Sequence, residues 1–191
     1  EIRRILDAAL EKEIVVVIDE AYGDFLDKEE SAVSLINEYD NLVIARTFSK
    51  GFGLGALRAG YIVLPKPMVP VLAKDPGEMT ITTPADKMIP IVLKDPGFLK
   101  TSREIIARNK KALIDSLHVL HVSETRSDVP IGLYYTDTDT DLGALFWKHG
   151  IRVEYGVDFE GIGKRHVRLR VPDDVKPLLA RIAAIERELR A

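Results

Sequence analysis

Two segments give the clearest indication of the fold: "VVVIDEAYGDF" (residues 15–25) and "NLVIARTFSKGFGLGALRAGYIVLP" (residues 41–65). Each begins with a continuous run of apolar, largely β-branched residues, which predicts a strand buried on both faces. A third such run follows the glycines and stops at Pro65. Helical periodicity precedes and follows these runs, so we expect an α/β layer with helices on the faces of its sheet.

The glycine-rich part of the second segment has several possible interpretations. Gly51, Gly53 and Ala56 satisfy the G-x-G-x-x-[GA] pattern of dinucleotide binding, which also requires a helix to begin there. The next strand is predicted to start near Tyr61, which leaves no room for that helix. The P-loop pattern is not met, because Lys50 precedes the glycines. A plain glycine-rich connection with a solvated lysine remains an alternative.

Chemically reactive side chains follow the ends of the predicted strands. Asp19 ends the first strand and Tyr22 comes three residues later, whereas Lys50 follows the second strand and Arg58 lies eight residues beyond it. The carboxyl ends of parallel strands meet at one edge of a sheet, which is where α/β proteins bind ligands. If the two strands are neighbours, these four side chains converge on that edge.

This set of side chains suits a pyridine-based cofactor that carries a phosphate. A lysine amine can form a Schiff base with an aldehyde, and a carboxylate can keep a pyridine nitrogen protonated. The hydroxyls of Thr47 and Ser49, together with a guanidinium, can hold a phosphate. The glycines would allow the backbone to pass close to the cofactor.

Both segments closely resemble the pyridoxal-phosphate-dependent aminotransferases of classes I and II, and within them the histidinol-phosphate aminotransferases. The D-x-x-Y and [ST]-x-S-K-x7-R elements match in spacing and order, and the resemblance is strongest over residues 14–64. It implies the fold type I, aspartate aminotransferase-like architecture. Residues 1–105 would be the C-terminal part of the large cofactor-binding domain, and residues 106–191 the small α+β C-terminal domain.

The same resemblance implies a role for each matched residue. Lys50 would form the Schiff base with pyridoxal 5'-phosphate and, once released, act as the general acid or base. Asp19 would pair with the pyridine nitrogen and Tyr22 with the ring oxygen. The cofactor phosphate would be bound by Thr47, Ser49 and Arg58.

The C-terminal part of the chain would bind the substrate. The family carries an arginine in a short strand that binds the substrate carboxylate, and "HVRLRVPDD" (residues 166–174) offers Arg168 and Arg170. The register favours Arg168, with Arg170 as the second choice. Glu154 stands where the family commonly has a basic residue, and Pro172-Asp173 replaces the glycine that usually follows the strand. These departures bear on the identity of the substrate.

The implied function is amino-group transfer between an amino-acid-like substrate, such as histidinol phosphate or an amino acid, and a 2-oxo acid. Two alternatives stay open: a decarboxylase of a phosphorylated amino acid such as threonine phosphate, and a non-catalytic fragment or binding domain. The family forms homodimers, and its first half, which completes the cofactor site, has no counterpart here. We therefore expect the 191 residues to be a C-terminal half.

Composition excludes several other classes. A net charge of −3 with interspersed signs gives no basic surface for nucleic acid, and no apolar run is long enough to predict a membrane span. The chain has no cysteine, and no spacing of other ligands predicts a metal site. A cytoplasmic location is the default expectation.

Overall fold

The computed structural model describes residues 1–74 and 81–190, and the chain divides into two compact units, residues 1–100 and 101–191. The sequence suggested a boundary near residue 105. The helices are α1 (Ile2–Leu10), α2 (Val69–Ala73), α3 (Thr83–Val92), α4 (Phe98–Asp115), α5 (Leu142–Lys148) and α6 (Lys176–Arg190). The strands are β1 (Val16–Asp19), β2 (Leu42–Thr47), β3 (Gly60–Val63), β4 (His121–Val122), β5 (Ile131–Tyr135), β6 (Glu154–Tyr155) and β7 (His166–Arg170). Within the described residues, no helix is both long and apolar enough to span a membrane.

The sheet of the first unit has the order β1-β2-β3. β1 runs parallel to β2 and pairs Asp19 with Ala45, whereas β3 runs antiparallel to β2 and pairs Gly60 with Thr47. The three predicted strands and the α/β class are therefore confirmed. The C-terminal ends of β1 and β2 and the N-terminal end of β3 share one edge of the sheet.

One face of this sheet is buried and the other is exposed. Leu42 and Ile44 of β2 pack with Leu6 of α1 and with Leu35 from residues 31–38. Those residues contain a 3₁₀ turn, Ala32–Leu35, initiated by the side chain of Ser31. Val17 of β1 is 65% exposed. The prediction that β1 is buried on both faces is therefore wrong for this chain, because no described element covers that face.

The glycine-rich connection between β2 and β3 has a small core of its own. Phe48 and Ala59, at its two ends, pack with Ala85 of α3, and Phe52 and Leu57 lie against them. The Phe48 amide donates to the Ala59 carbonyl at 3.2 Å, which closes the connection at its base. This core fixes residues 48–59 as an ordered loop at the edge of the sheet.

The second unit has an antiparallel sheet of order β4-β5-β7-β6. Its core contains Leu113 of α4, Tyr134 of β5, Phe146 of α5, Val167 of β7 and Ile182 of α6, all of them buried. The short strand expected to carry Arg168 and Arg170 is β7. The two-residue strand β4 was not predicted, because two residues are too few to show a period.

Candidate functional site

The predicted site residues of the first unit lie at one edge of its sheet. Asp19 is the last residue of β1 and Thr47 the last of β2, while Arg58 lies two residues before β3. The register pairs Thr47 with Gly60, so the end of β2 lies beside the start of β3. The parallel pairing of β1 with β2 carries the carboxylate to the same edge. Chain topology alone accounts for this convergence.

Lys50 and Tyr22 contact each other although 27 residues separate them. Lys50 Nζ lies 5.4 Å from the centroid of the Tyr22 ring, which is within cation–π range. The lysine side chain is exposed and the tyrosine is half-buried. An amine held beside a phenol at the open edge of a sheet is accessible to a ligand carbonyl group.

The hydroxyls of Thr47 and Ser49 form a connected pair. Thr47 Oγ1 lies 2.9 Å from Ser49 Oγ and 3.1 Å from the Ala59 carbonyl oxygen, and it accepts the Ser49 amide at 3.0 Å. Two hydroxyls on one turn can both donate to the oxygens of an anion.

Arg58 has an uncommon backbone conformation. Its φ of 53° and ψ of 47° lie in the left-handed region, which a side chain with a Cβ rarely adopts. Arg58 Nη1 donates to the Gly55 carbonyl oxygen at 3.0 Å, and the residue is exposed. Such conformations cost of order 1–3 kcal/mol and cluster at functional sites.

Two of the glycines are required by the backbone of the loop itself, independently of any nucleotide. A Cβ on Gly51 would lie 2.4 Å from the Asp24 Cβ and 2.6 Å from its Oδ2, so the loop can approach Asp24 only with glycine. Gly53 has a φ of +69°, which glycine adopts without strain. The Gly53 amide donates to the Lys50 carbonyl oxygen at 3.2 Å, which makes a tight turn after the lysine.

Behind the site lies a buried ionic cluster that the sequence analysis missed. The Glu20 carboxylate accepts Arg46 Nε at 3.0 Å and Nη2 at 2.6 Å, the Ser31 hydroxyl at 2.9 Å and the Ala32 amide at 2.7 Å. Arg46 Nη1 lies 3.8 Å from Asp24 Oδ1. The sequence contains one signal for this cluster: Glu20, just after β1, and Arg46, inside β2, carry opposite charges at neighbouring strand ends.

Asp24 is the least satisfied member of this cluster. Its Oδ2 is buried and accepts no hydrogen bond from the described residues. Burial raises the pKa of the Asp24 carboxyl above its ordinary value, and the Arg46 charge and the Gly51 amide offset only part of that effect. The fold therefore holds the Asp24 carboxyl group under the loop of residues 48–59, which carries Lys50 and is called the lysine loop below, without fully stabilising the ionised form of that carboxyl group.

These residues fit a phosphorylated pyridine aldehyde. Asp19 Oδ1 accepts the Ala21 amide at 2.8 Å, and its Oδ2 accepts no hydrogen bond among the described residues, so it could accept a ring N–H. Two hydroxyls and a guanidinium suit a phosphate. The amine and the phenol lie on the same edge of the sheet, 5.4 Å apart from nitrogen to ring centroid.

The two candidate substrate arginines lie on β7 of the second unit. Arg168 and Arg170 alternate on that strand and therefore point to the same face. Glu154 on β6 is directly opposite Arg168, and Arg168 Nη1 lies 2.5 Å from Glu154 Oε2. The residue that departs from the family pattern is therefore the ion-pair partner of the favoured arginine.

Comparison with known proteins defines the family. The family model for "Aminotransferase class I and II" matches residues 1–172. Histidinol-phosphate aminotransferase 1 of Cupriavidus pinatubonensis is 30% identical over 189 residues, which are 96% of this chain and 50% of that protein. The crystal structure of the histidinol-phosphate aminotransferase from Clostridium acetobutylicum superposes with a TM-score of 0.84 at 23% identity, over 97% of this chain and 58% of that one.

A second solved structure has the same fold with a ligand bound. It is the histidinol-phosphate aminotransferase from Sinorhizobium meliloti in complex with pyridoxal-5'-phosphate, with a TM-score of 0.71, 21% identity, and coverage of 98% of this chain and 53% of that one. The chain thus belongs to the class I and II aminotransferase family, as the sequence resemblance indicated, and has the fold type I architecture. It spans about half the length of the relatives it matches.

Proposed function

We propose that the protein to which this chain belongs is a pyridoxal-phosphate-dependent aminotransferase. The carrying observation is the Lys50 amine, 5.4 Å from the centre of the Tyr22 ring, at the sheet edge where β1 ends in Asp19. The amino donor that we propose first is histidinol phosphate, because the relatives are named for it. An amino acid is the second choice, and a 2-oxo acid is the acceptor.

We assign three residues to the aldehyde and the ring of the cofactor. Pyridoxal phosphate, when bound, supplies an aldehyde for a lysine amine and a ring that accepts electrons from the substrate carbon. Lys50 would hold this group through Nζ and would move a proton at the substrate carbon. Asp19, with an oxygen available, would hold a proton on the ring nitrogen. Tyr22 would donate its hydroxyl to the ring oxygen.

The phosphate end is bound by neutral and cationic donors. We assign the phosphate contacts to the linked hydroxyls of Thr47 and Ser49 and to the guanidinium of Arg58. The tight turn after Lys50 fixes the backbone between these groups. An ordered loop of this kind lowers the entropy that must be lost on binding.

Arg168 is proposed to bind the acidic group of the substrate, with Arg170 as the alternative. Glu154 already occupies part of the Arg168 guanidinium. A substrate anion must therefore displace or share a carboxylate, which distinguishes this chain from a site that offers an unopposed arginine. The Glu154–Arg168 pair therefore bears directly on which substrate the protein accepts.

Further parts of the protein complete the fold. The exposed face of β1, with Val17 65% exposed, is proposed to be covered by a complementary N-terminal half, since the relatives are about twice as long. A homodimer is proposed as the assembled form, by analogy with the family. Exposed apolar side chains on one strand face are unfavourable in water, and such a face commonly marks a contact surface.

The proposal is tested on the full-length protein. Titration with pyridoxal phosphate should give the visible absorbance of lysine-bound cofactor, and reduction with borohydride should fix the cofactor on the peptide that contains Lys50. Lys50→Ala should abolish both signals, whereas the exposed Lys28→Ala should leave them unchanged. Failure of the wild-type protein to form this adduct overturns the proposal and favours a non-catalytic domain.

Turnover then separates the remaining reactions. The protein is incubated with histidinol phosphate or with amino acids, in each case with 2-oxoglutarate, and glutamate is measured. Release of carbon dioxide from a phosphorylated amino acid, without glutamate, would replace the aminotransferase with the decarboxylase.

A further inference from the structure

Three buried charges connect the ends of β1 and β2 behind the lysine loop. Glu20 directly follows Asp19, and Arg46 directly precedes Thr47. The guanidinium gives two nitrogens to the Glu20 carboxylate, at 3.0 Å and 2.6 Å, and Nη2 also donates to Ser31 Oγ at 2.8 Å. The two ion-pair side chains are only 14% and 7% exposed. This pair therefore fixes the spacing of the residues that we assign to the cofactor.

The third nitrogen of the same guanidinium is directed to Asp24. Arg46 Nη1 lies 3.8 Å from Asp24 Oδ1. Asp24 belongs to the 3₁₀ turn Gly23–Phe25, which begins directly after Tyr22. The other face of Asp24 supports the loop, because Gly51 is so close that any Cβ there would overlap the carboxyl group. Gly51 is the residue next to Lys50.

We propose that Asp24, held by Arg46, which Glu20 in turn fixes, is a positioning residue that orients the Lys50–Gly51 peptide and so places the lysine amine for cofactor attachment. The inference rests on the proposed function, since it gives Asp24 a role in positioning the lysine of that site. Asp24 itself is not assigned any contact with cofactor or substrate.

The energetics favour positioning over a purely structural role. A buried carboxylate with one oxygen unpaired costs stability, and an apolar side chain of similar size would serve the fold better. The cost falls against Gly51, the residue next to the lysine that must be oriented. Functional side chains require such a supporting layer, because small displacements of reacting groups cost large factors in rate.

The first experiment uses Asp24→Asn in the full-length protein, with the exposed Asp40→Asn as the matched control. The rate of pyridoxal phosphate attachment to Lys50 should fall on the order of tenfold, while the thermal midpoint without cofactor does not fall. Asp40→Asn should change neither. An unchanged rate, or a rate loss that parallels a loss of thermal stability, overturns the proposal.

The second experiment tests the contact through size. Gly51→Ala should slow attachment, because the new Cβ meets the Asp24 side chain. Adding Asp24→Gly removes that side chain and should recover part of the Gly51→Ala loss. A double variant no better than Gly51→Ala means that the glycine serves another purpose, and the contact claim fails.

A third measurement is independent of the cofactor. Amide hydrogen exchange over residues 48–54 should be faster in Asp24→Asn than in wild type, since the Gly53 and Leu54 amides donate within this loop. If wild type binds no cofactor but exchange still increases, the proposed function fails and the positioning of the loop stands. Unchanged exchange overturns the positioning in either case.

Discussion

Arg168 Nη1 lies 2.5 Å from Glu154 Oε2 across the β6–β7 pair, so the arginine assigned to the substrate already has a carboxylate partner. Glu154→Gln should remove this competition and strengthen binding of an acidic substrate. Exposed ion pairs contribute roughly 0.2–1 kcal/mol, so the KM for the acidic substrate should fall by up to about fivefold. The exposed Glu160→Gln is the control, and an unchanged KM in Glu154→Gln would remove Arg168 from the substrate site.

Arg58 combines a functional assignment with an unfavourable backbone. Arg58→Ala and Arg58→Gly both remove the guanidinium, so both should weaken pyridoxal phosphate binding to a similar degree. Only alanine retains the cost of a φ of 53°, so the glycine variant should be more stable than the alanine variant by about 1 kcal/mol. Thermal unfolding and cofactor titration of both variants provide the check. Equal cofactor affinity in both variants and wild type would contradict the phosphate assignment.

The convergence at the sheet edge could be predicted from sequence because it depends on strand ends. Asp19, Thr47 and Lys50 lie next to runs of β-branched residues, and parallel neighbours bring such positions together regardless of side-chain detail. The roles that we assign to them remain proposals. β1 has an exposed face where burial was predicted, and the chain spans about half the length of the relatives it matches.

The buried cluster could not be predicted in the same way. Nothing in the local pattern pairs Asp24 with Gly51, because the two meet only after the turn that follows β1 packs under the loop that follows β2. The left-handed conformation of Arg58 is equally hidden, since arginine carries no preference for it. Glu154 was recognised as a departure from the family, but its pairing with Arg168 required the register of β6 against β7.

Tyr134 lies in the core of the second unit, fully buried, and its hydroxyl has no hydrogen-bond partner among the described residues. Tyr134→Phe should raise stability by about 1 kcal/mol, because it removes an unsatisfied polar group. Burial also raises the pKa of Tyr134 from 10.0 to about 12. The unfolded chain therefore loses this proton first, and stability falls as the pH rises from about 10 to about 12, by about 2–3 kcal/mol.

Unfolding measured from about pH 9 to pH 12 should show this fall in wild type and a smaller one in Tyr134→Phe. The neighbouring Tyr135→Phe, which faces the other side of β5, should retain the wild-type dependence. If Tyr134→Phe retains the full dependence, another group is responsible for it.

Lys110 is a fully buried lysine whose ammonium group organises the segment before β5. Its Nζ lies 2.9 Å from Thr125 Oγ1 and 2.6, 3.0 and 2.8 Å from the carbonyl oxygens of Arg126, Val129 and Ile131. Lys110→Met has a similar shape but removes all four of these hydrogen bonds, and it should cost about 3 kcal/mol of unfolding free energy. Lys111→Met is the matched control, since Lys111 is 74% exposed and forms a surface ion pair with Asp115, so it should cost less than about 0.5 kcal/mol. Equal losses in the two variants, measured by chemical denaturation, would show that Lys110 contributes through its aliphatic chain and not through its charge.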